Sequence, residues 1–316
     1  ARPSIPAIPR LDKVPYLTST EALRLKTLPK SMIIIGGGYI GAELGFFYAE
    51  LGTKITILQR SKLLLSREDE EIASLITGLW KKKYDVLTDA EIVKVERKGK
   101  EISVTIKQGN STKKISAEKL LIAAGVTPNS DTLDIKKAGI RANEKGFISV
   151  DRFLETNVKN IFALGDITGK YMFRHSANLE AEYVLNNILR EKKAVDYYPM
   201  PHAVFTSPQI AGVGLTEQEA REQKIKYVIG REYYRNTAKG IALGEKHGFV
   251  KLIVDKKTKE ILGCHIIGPE ASLLLHEVVV AMKAGKNKAL DLLRDTVHVH
   301  PSLNEVVQRA ALNVQL

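Results

Sequence analysis

The fold is decided by the stretch "SMIIIGGGYIGAELGFFYAELGTKITILQR", residues Ser31 to Arg60. An apolar, β-branched run, Met32 to Ile35, meets a cluster of glycines, and a segment with helical character follows. Gly52 then precedes a second apolar run, Lys54 to Leu58. Strand, helix and strand in this order predict one βαβ unit with a buried parallel sheet.

A G-x-G-x-x-G pattern lies between the first strand and the helix, with Gly36, Gly38 and Gly41 as its glycines and Tyr39 and Ile40 between them. The first glycine permits a tight turn, the second lets a pyrophosphate approach the backbone, and the third allows close packing of helix on strand. The helix N-terminus offers free N–H groups and a positive dipole to phosphates. In this strand-to-helix context the pattern predicts a dinucleotide-binding loop rather than a structural turn.

The end of the second strand indicates which dinucleotide binds. An acidic residue there is typical of NAD sites, whereas basic or neutral groups suit the 2′-phosphate of NADP. Gln59 occupies this position, and Arg60, Lys62 and Arg67 follow closely. Because an arginine can bind a phosphate bidentately, these residues favour NADPH over NADH. The alternative is that the cations are ordinary surface residues.

Composition limits the classes of partner. The chain has 316 residues and a formal net charge of +12. Its lysines are scattered and no nucleic-acid motif accompanies them, so no nucleic-acid partner is expected. No apolar run approaches the roughly 20 residues of a membrane span. The single cysteine, Cys264, fits a reducing, cytoplasmic compartment and is expected to be a small buried hydrophobe.

Further elements follow from periodicity and turn signals. The proline-rich opening, Arg2 to Pro15, predicts an extended connector. A meander of antiparallel strands is expected between the second helix and the strand Lys119 to Ala123. The last section alternates strands and helices, which predicts an α+β domain. The other predicted elements are helices over Glu68–Lys82, Asn178–Glu191, Ala271–Ala284 and Asn304–Asn313, and a buried strand over Ile161–Leu164.

The motifs "GGGYIGAELG", "LLIAAGVTPN", "NIFALGDIT", "AVFTSPQIAGVGLTEQEA" and "HVHPSLNE" stand in the order found in class I pyridine nucleotide-disulfide oxidoreductases. The chain resembles this family, in particular its dihydrolipoamide dehydrogenase and mercuric reductase-like branches. The resemblance implies an α/β fold, with a Rossmann-like domain, a remnant of a split FAD domain and a C-terminal α+β dimerisation domain. The implied divisions are a connector (1–30), an NAD(P)-binding domain (31–146), a second FAD-domain segment (147–200) and an interface domain (201–316).

The resemblance also implies roles for single residues. Tyr39 matches the tyrosine that gates the nicotinamide pocket, and Glu43 matches a glutamate near the nicotinamide and the flavin N5. Asp166, after Gly165, matches the aspartate that binds the flavin ribityl chain. Gly125 belongs to the second motif and is placed with the cofactor-binding residues. One departure is that Val126 stands where family members generally have arginine.

His300 and Glu305 match the family's acid–base pair, in which the histidine of one subunit serves the active site of its partner. A homodimer through residues 201–316 is therefore implied. An imidazole titrates near neutral pH, and a carboxylate on its other nitrogen fixes the tautomer and raises its basicity. Ser302 is expected to cap the helix that carries Glu305. No metal site is predicted, since His298 has no evident further ligands.

The implied function is that of the C-terminal portion of an FAD-dependent NAD(P)H:disulfide oxidoreductase. A complete member carries an additional FAD-binding glycine loop and a C-x-x-x-x-C pair before the segment that "ARPSIPAIP" resembles. FAD is thus expected in the full-length parent, and a separate N-terminal chain is a candidate partner. The alternatives are a non-catalytic, nucleotide-binding dimerising subunit, inactive alone, or a flavin reductase without cysteines. Lipoamide, another disulfide and mercury(II) all remain open as substrates.

Overall fold

The computed structural model describes residues 1–316, whose strands form four sheets. In chain order, the strands are β1 (Arg2–Pro3), β2 (Ser31–Ile35), β3 (Lys54–Leu58), β4 (Asp85–Leu87), β5 (Glu91–Lys98), β6 (Glu101–Gln108), β7 (Ser111–Ala117), β8 (Lys119–Ile122), β9 (Val126–Thr127), β10 (Pro201–Val204), β11 (Gln209–Gly214), β12 (Tyr227–Tyr233), β13 (Phe249–Asp255) and β14 (Ile261–Gly268).

The helices are mostly short. In chain order, they are α1 (Ser19–Ala22), α2 (Tyr39–Glu50), α3 (Glu70–Lys83), α4 (Arg174–Leu189), α5 (Glu217–Glu222), α6 (Ala238–Ala242), α7 (Ala271–Ala284), α8 (Ala289–Asp295) and α9 (Asn304–Leu312). Short 3-10 turns cover Leu11–Lys13, Asn129–Thr132, Gly165–Thr168 and Tyr234–Asn236. None of the helices combines the length and the apolar character that crossing a bilayer requires.

The chain divides into two compact units. The first consists of Ala1–Ile5 and Gly125–Tyr198, and the second of Pro6–Ala124 and Pro199–Leu316. The division into the four sequence segments given above stays a prediction.

The second unit contains the predicted parallel sheet, with strand order β4-β3-β2-β8. β2 pairs in parallel with both β3 and β8, so it lies inside the sheet. Met32 to Ile35 are buried, as a strand covered on both faces must be. Because α2 connects β2 to its parallel neighbour β3, the predicted βαβ unit is confirmed.

The predicted meander is a separate antiparallel sheet of β5, β6 and β7. Val95, Val104 and Ile106 are buried in one apolar cluster together with Ile33 and Ile35 of β2. The meander therefore packs against the parallel sheet, and its apolar face closes one side of that sheet.

The C-terminal part of the same unit is built on an antiparallel sheet with strand order β10-β11-β14-β13-β12. One face packs against α7, α8 and α9 in an apolar cluster that includes Cys264. The other face contributes Val204, Ile210 and Ile267 to the cluster that surrounds β2 and α2. The parallel and antiparallel sheets therefore share a core, and the mixed α/β class expected from the sequence is confirmed.

The first unit departs from expectation in one place. The strand predicted over Ile161–Leu164 does not form, and Phe162 makes only an isolated bridge with Glu155. The chain reverses within a few residues, so that the N–H of Ala163 donates to the carbonyl of Leu154 at 3.1 Å. This tight reversal leaves no partner strand of useful length, which the apolar composition of the segment could not reveal. The opening segment also departs slightly, since Leu11–Lys13 forms a 3-10 turn within the expected extended connector.

Candidate functional site

The glycine loop connects the end of β2 to the start of α2, with Gly38 as the N-cap residue of the helix. A Cβ atom at Gly36, whose φ is +109°, would lie 2.3 Å from the carbonyl oxygen of Ala123. A Cβ atom at Gly41 would lie 1.9 Å from the carbonyl oxygen of Gly36. Gly38 is exposed and has open space around it. Only glycines allow this close packing, and the open N-terminus of α2 can receive a phosphate group.

Gln59, at the end of β3, turns toward the glycine loop. Its Oε1 accepts a hydrogen bond from the N–H of Gly37 at 2.9 Å, and its Nε2 donates to the hydroxyl of Ser61. Arg60 and Arg67 are exposed and form no ion pair within the chain. A neutral side chain beside the loop and two unpaired cations near it are compatible with an extra phosphate on the nucleotide.

Tyr39 and Glu43, on the first turns of α2, are fixed by residues far away in sequence. The Tyr39 hydroxyl donates a hydrogen bond to Oε1 of Glu68. Oε1 of Glu43 accepts from the N–H of Phe205 at 2.9 Å. Burial and the nearby Glu68 carboxylate raise the pKa of Tyr39, and burial raises the pKa of Glu43.

Glu68 is the residue at this site that sequence reasoning missed. Its side chain is 1% exposed, and its Oε2 lies 2.9 Å from Nε2 of His202 on β10. Burial favours the neutral acid, but the hydrogen bonds from His202 and Tyr39 outweigh this, so the pKa of Glu68 is lowered. The two partners are 134 residues apart, and no local spacing rule connects them.

His202 begins a row of residues that crosses the antiparallel sheet. Each member faces the next across neighbouring strands, so all of them point to one face. In order from β10 to β12, the members of this polar row are His202, Gly212, His265, Lys251 and Arg231.

The acidic segment Glu68–Glu71, which ends in the first turn of α3, contacts the polar row. Nζ of Lys251 lies 2.9 Å from Oδ1 of Asp69, and both side chains are almost fully buried. Glu71 pairs with Arg231 and, at 2.7 Å, with Lys251. Burial alone would lower the pKa of Lys251, but the carboxylates around it, including Glu217, raise it. Opposite charges therefore join the parallel-sheet region to the antiparallel sheet.

The C-terminal segment brings together the pair predicted from the sequence. Nδ1 of His300 lies 3.0 Å from Oε1 of Glu305, and the imidazole is 67% exposed. The hydrogen bond from His300 lowers the pKa of Glu305. The expected cap was wrong, because the Ser302 hydroxyl is buried without a partner and Leu303 is the N-cap residue. The N–H of Ser302 instead donates to Oε2 of Glu305 at 3.2 Å.

The remaining candidates have simpler surroundings. Cys264 is buried, as expected, and burial raises the pKa of its thiol. In the first unit, Asp166 lies in a 3-10 turn and its side chain is partly exposed. The N–H of Gly165 donates to the buried carboxylate of Glu180 at 2.5 Å. The carbonyl of Gly125 accepts from the N–H of Ser4 at 2.9 Å.

Comparison with known proteins places this geometry in a family. Residues 1–181 match the pyridine nucleotide-disulphide oxidoreductase family, and residues 200–311 match the dimerisation domain of pyridine nucleotide-disulphide oxidoreductases. The chain belongs to this family. The resemblance inferred from the sequence motifs is thereby confirmed, and this family uses FAD and NAD(P)H.

Similar proteins include both branches named from the motifs. The chain is 38% identical to dihydrolipoyl dehydrogenase of Geobacillus stearothermophilus over 93% of its own length and 63% of that protein. It is 34% identical to mercuric reductase of Staphylococcus aureus, covering 99% of this chain and 57% of that protein. The Cu(II) complex of the HOCl-induced flavoprotein disulfide reductase RclA from Escherichia coli has a similar structure. Its TM-score is 0.89 at 30% identity, and the match covers 99% of this chain and 71% of that one. The chain thus spans less than two thirds of the curated proteins named here.

Proposed function

We propose that this chain binds NAD(P)H at the glycine loop and forms the nucleotide-binding and dimerising parts of a flavin-dependent NAD(P)H:disulfide oxidoreductase. The observation that carries the proposal is the close packing of Gly36 and Gly41, which leaves the backbone around exposed Gly38 open at the N-terminus of α2. A pyrophosphate at this position would accept hydrogen bonds from backbone N–H groups. Membership of the family supports this assignment.

The candidate residues divide into binding and proton-handling groups. The loop would hold the pyrophosphate, and Tyr39 and Glu43 would lie along the nicotinamide half of the nucleotide. Asp166, a partly exposed carboxylate, could accept hydrogen bonds from the flavin ribityl hydroxyls. When bound, the flavin would carry electrons from the nicotinamide to a disulfide.

His300 and Glu305 would supply the acid–base function. Glu305 holds Nδ1 of His300, so Nε2 of the exposed imidazole is directed elsewhere and can exchange a proton with a thiol. The valines on both sides of His298, Val297 and Val299, are 92% and 75% exposed. Such an apolar segment next to the dyad supports a homodimer through residues 201–316, in which a second copy covers it.

NADPH is the proposed nucleotide, since Gln59 replaces the acid typical of NAD sites and Arg60 and Arg67 are unpaired. Gln59→Glu is expected to raise the Kd for NADPH relative to that for NADH by about tenfold, because the new carboxylate repels the 2′-phosphate. An unchanged ratio of the two dissociation constants, measured by calorimetry, would show that the side chain at position 59 does not face the 2′-phosphate.

A second candidate is a non-catalytic nucleotide-binding subunit that works with a separate chain carrying the redox disulfide. It is favoured by the burial of Cys264, which keeps this thiol away from a disulfide substrate. The two candidates differ in whether the redox disulfide lies in the same polypeptide as these residues or in a separate chain. Intact-mass measurement on the protein isolated from its source distinguishes them, since one polypeptide that holds both supports the oxidoreductase and two co-purifying chains support the subunit. A cytoplasmic location belongs to both candidates, since a single cysteine suits a reducing compartment.

NADPH titration of a loop variant tests the binding step. Gly41→Ala places a methyl group where 1.9 Å separates it from the Gly36 carbonyl, so the loop must shift. We expect at least about a tenfold rise in the Kd for NADPH. Gly78→Ala is the matched control, because Gly78 is an exposed glycine of α3 with open space around it. An equal Kd in both variants would contradict the assignment of the loop.

A further inference from the structure

The orientation of Tyr39 depends on two residues outside the glycine loop. Its hydroxyl donates to Glu68, whose other carboxylate oxygen lies 2.9 Å from Nε2 of His202. The Tyr39 and His202 rings also stack, with centroids 6.3 Å apart and an interplanar angle of 29°. The phenol is therefore held on the side of the antiparallel sheet, while Gly38, its neighbour in the chain, stays exposed.

Glu68 itself is fixed by the backbone and by the segment that follows it. Its N–H donates to the carbonyl of Leu65 at 2.9 Å, and its carbonyl accepts from Nε2 of Gln218 at 2.8 Å. The next residue, Asp69, is bound to Lys251. The contacts between the acidic segment and the polar row thus hold the Glu68 carboxylate at one point beside α2.

His202 has its position because its neighbour in the polar row is a glycine. A Cβ atom at Gly212 would lie 2.7 Å from Cε1 and Nε2 of His202 and 2.9 Å from Nδ1 of His265. The absence of a side chain at Gly212 therefore makes room for the imidazole that contacts Glu68.

We propose that Glu68 and His202 are positioning residues for nucleotide binding, which hold Tyr39 away from the exposed face of the glycine loop. This inference rests on the proposed function, because it requires that the loop binds NAD(P)H. Without the hydrogen bond to Glu68 the Tyr39 ring is held less firmly, and each rotamer that turns it over the N-terminus of α2 excludes the phosphates. The apparent Kd then rises in inverse proportion to the fraction of molecules whose loop is open.

The test is a set of NADPH dissociation constants measured by calorimetry on the full chain. Tyr39→Phe removes the hydroxyl and keeps the ring, and Glu68→Leu removes the acceptor. Each change alone, and both together, should raise the Kd by the same factor, about three- to tenfold, since either change releases the ring. In a Tyr39→Ala background, which has no ring to rotate, adding Glu68→Leu should cause no further change.

Glu50→Gln is the matched control, because Glu50 lies at the other end of α2 from Tyr39 and pairs with Lys83 at the surface. It should leave the Kd unchanged even if it lowers the melting temperature. Unchanged Kd values in Tyr39→Phe and Glu68→Leu, with only their thermal stability lowered, would overturn the inference and leave the proposed function intact. A Glu68→Leu effect that persists in the Tyr39→Ala background would also overturn it. No NADPH binding by the unaltered chain would overturn both proposals.

Discussion

Two of the glutamate–histidine pairs in this chain have the same chemistry and different surroundings. Glu68 and His202 approach to 2.9 Å with 1% and 18% of their side chains exposed. Glu305 and His300 approach to 3.0 Å, but the histidine is 67% exposed. The first pair joins two sheets, whereas the second lies within one short segment at the C-terminus.

The difference in burial separates what the two pairs can do. An exposed imidazole whose Nδ1 is held by a carboxylate can present Nε2 to a reactant, which a general acid–base residue must do. A buried pair has lost its water, so its polar atoms depend on each other and on Tyr39. The pair whose histidine is exposed is therefore suited to proton transfer, and the pair that is buried on both sides is suited to holding a neighbouring side chain in place.

The largest expected effect comes from removing the cation of the buried Asp69–Lys251 pair, which lies next to Glu68. Lys251→Met leaves the carboxylate of Asp69 buried without its cation, which should lower the free energy of unfolding by about 3–5 kcal/mol. Lys83→Met is the control, since Lys83 pairs with Glu50 at the surface and its loss should cost less than about 1 kcal/mol. Denaturant unfolding of both variants gives the two values. Equal losses of unfolding free energy in the two variants would mean that burial does not make the Asp69–Lys251 pair more important for stability than the surface pair.

A smaller loss of stability is expected when glutamate is replaced by glutamine in each of the two glutamate–histidine pairs. Glu68→Gln puts an amide where two groups require a carboxylate, so the free energy of unfolding should fall by about 1–3 kcal/mol. Glu305→Gln should lower it by less than Glu68→Gln does, because the exposed imidazole of His300 can bind water instead, although Glu305 itself is only 10% exposed. Chemical denaturation at neutral pH measures both changes. A larger loss from Glu305→Gln would reverse the assignment of structural and exposed roles.

The smallest expected effect is a difference in acid stability. The pKa of Glu68 is lowered in the folded chain, because the hydrogen bonds from His202 and Tyr39 outweigh burial. Its contribution is therefore complete above the pKa of an unfolded glutamate, about 4.3, and is lost as the pH falls through the lower folded value. Melting temperatures between about pH 6 and pH 3 should fall less steeply in Glu68→Gln than in the unaltered chain. Parallel curves would show that the pKa of Glu68 is the same in the folded and the unfolded chain.

Sequence reasoning succeeded where the decisive interactions are local. The run Met32–Ile35, the glycines after it and the strand Lys54–Leu58 predicted the βαβ unit, because hydrophobic period and glycine spacing act over a few residues. It was wrong where a predicted strand needed a partner strand from another part of the chain. Ile161–Leu164 has the composition of a strand, but the chain reverses there and leaves only an isolated bridge between Phe162 and Glu155.

The candidate site divides in the same way. The His300–Glu305 contact was expected because the two residues are close in sequence and match a family motif. The Ser302 cap was expected from the same segment and was wrong, since Glu305 binds the Ser302 backbone and the helix begins later. Glu68 was read only as part of a charged helix, because nothing near it in sequence indicates a histidine on β10.

By itself, the sequence determined the parallel-sheet unit, the glycine loop and the C-terminal dyad, since each depends on residues within one short segment. Only the tertiary structure decided that Glu68 meets His202 and that Asp69 meets Lys251. Those contacts require the cross-strand register that places His202, Gly212, His265, Lys251 and Arg231 in one row. They also require the acidic segment to lie against that row. Register and sheet-to-sheet packing arise from the whole core, so no single segment could have specified them.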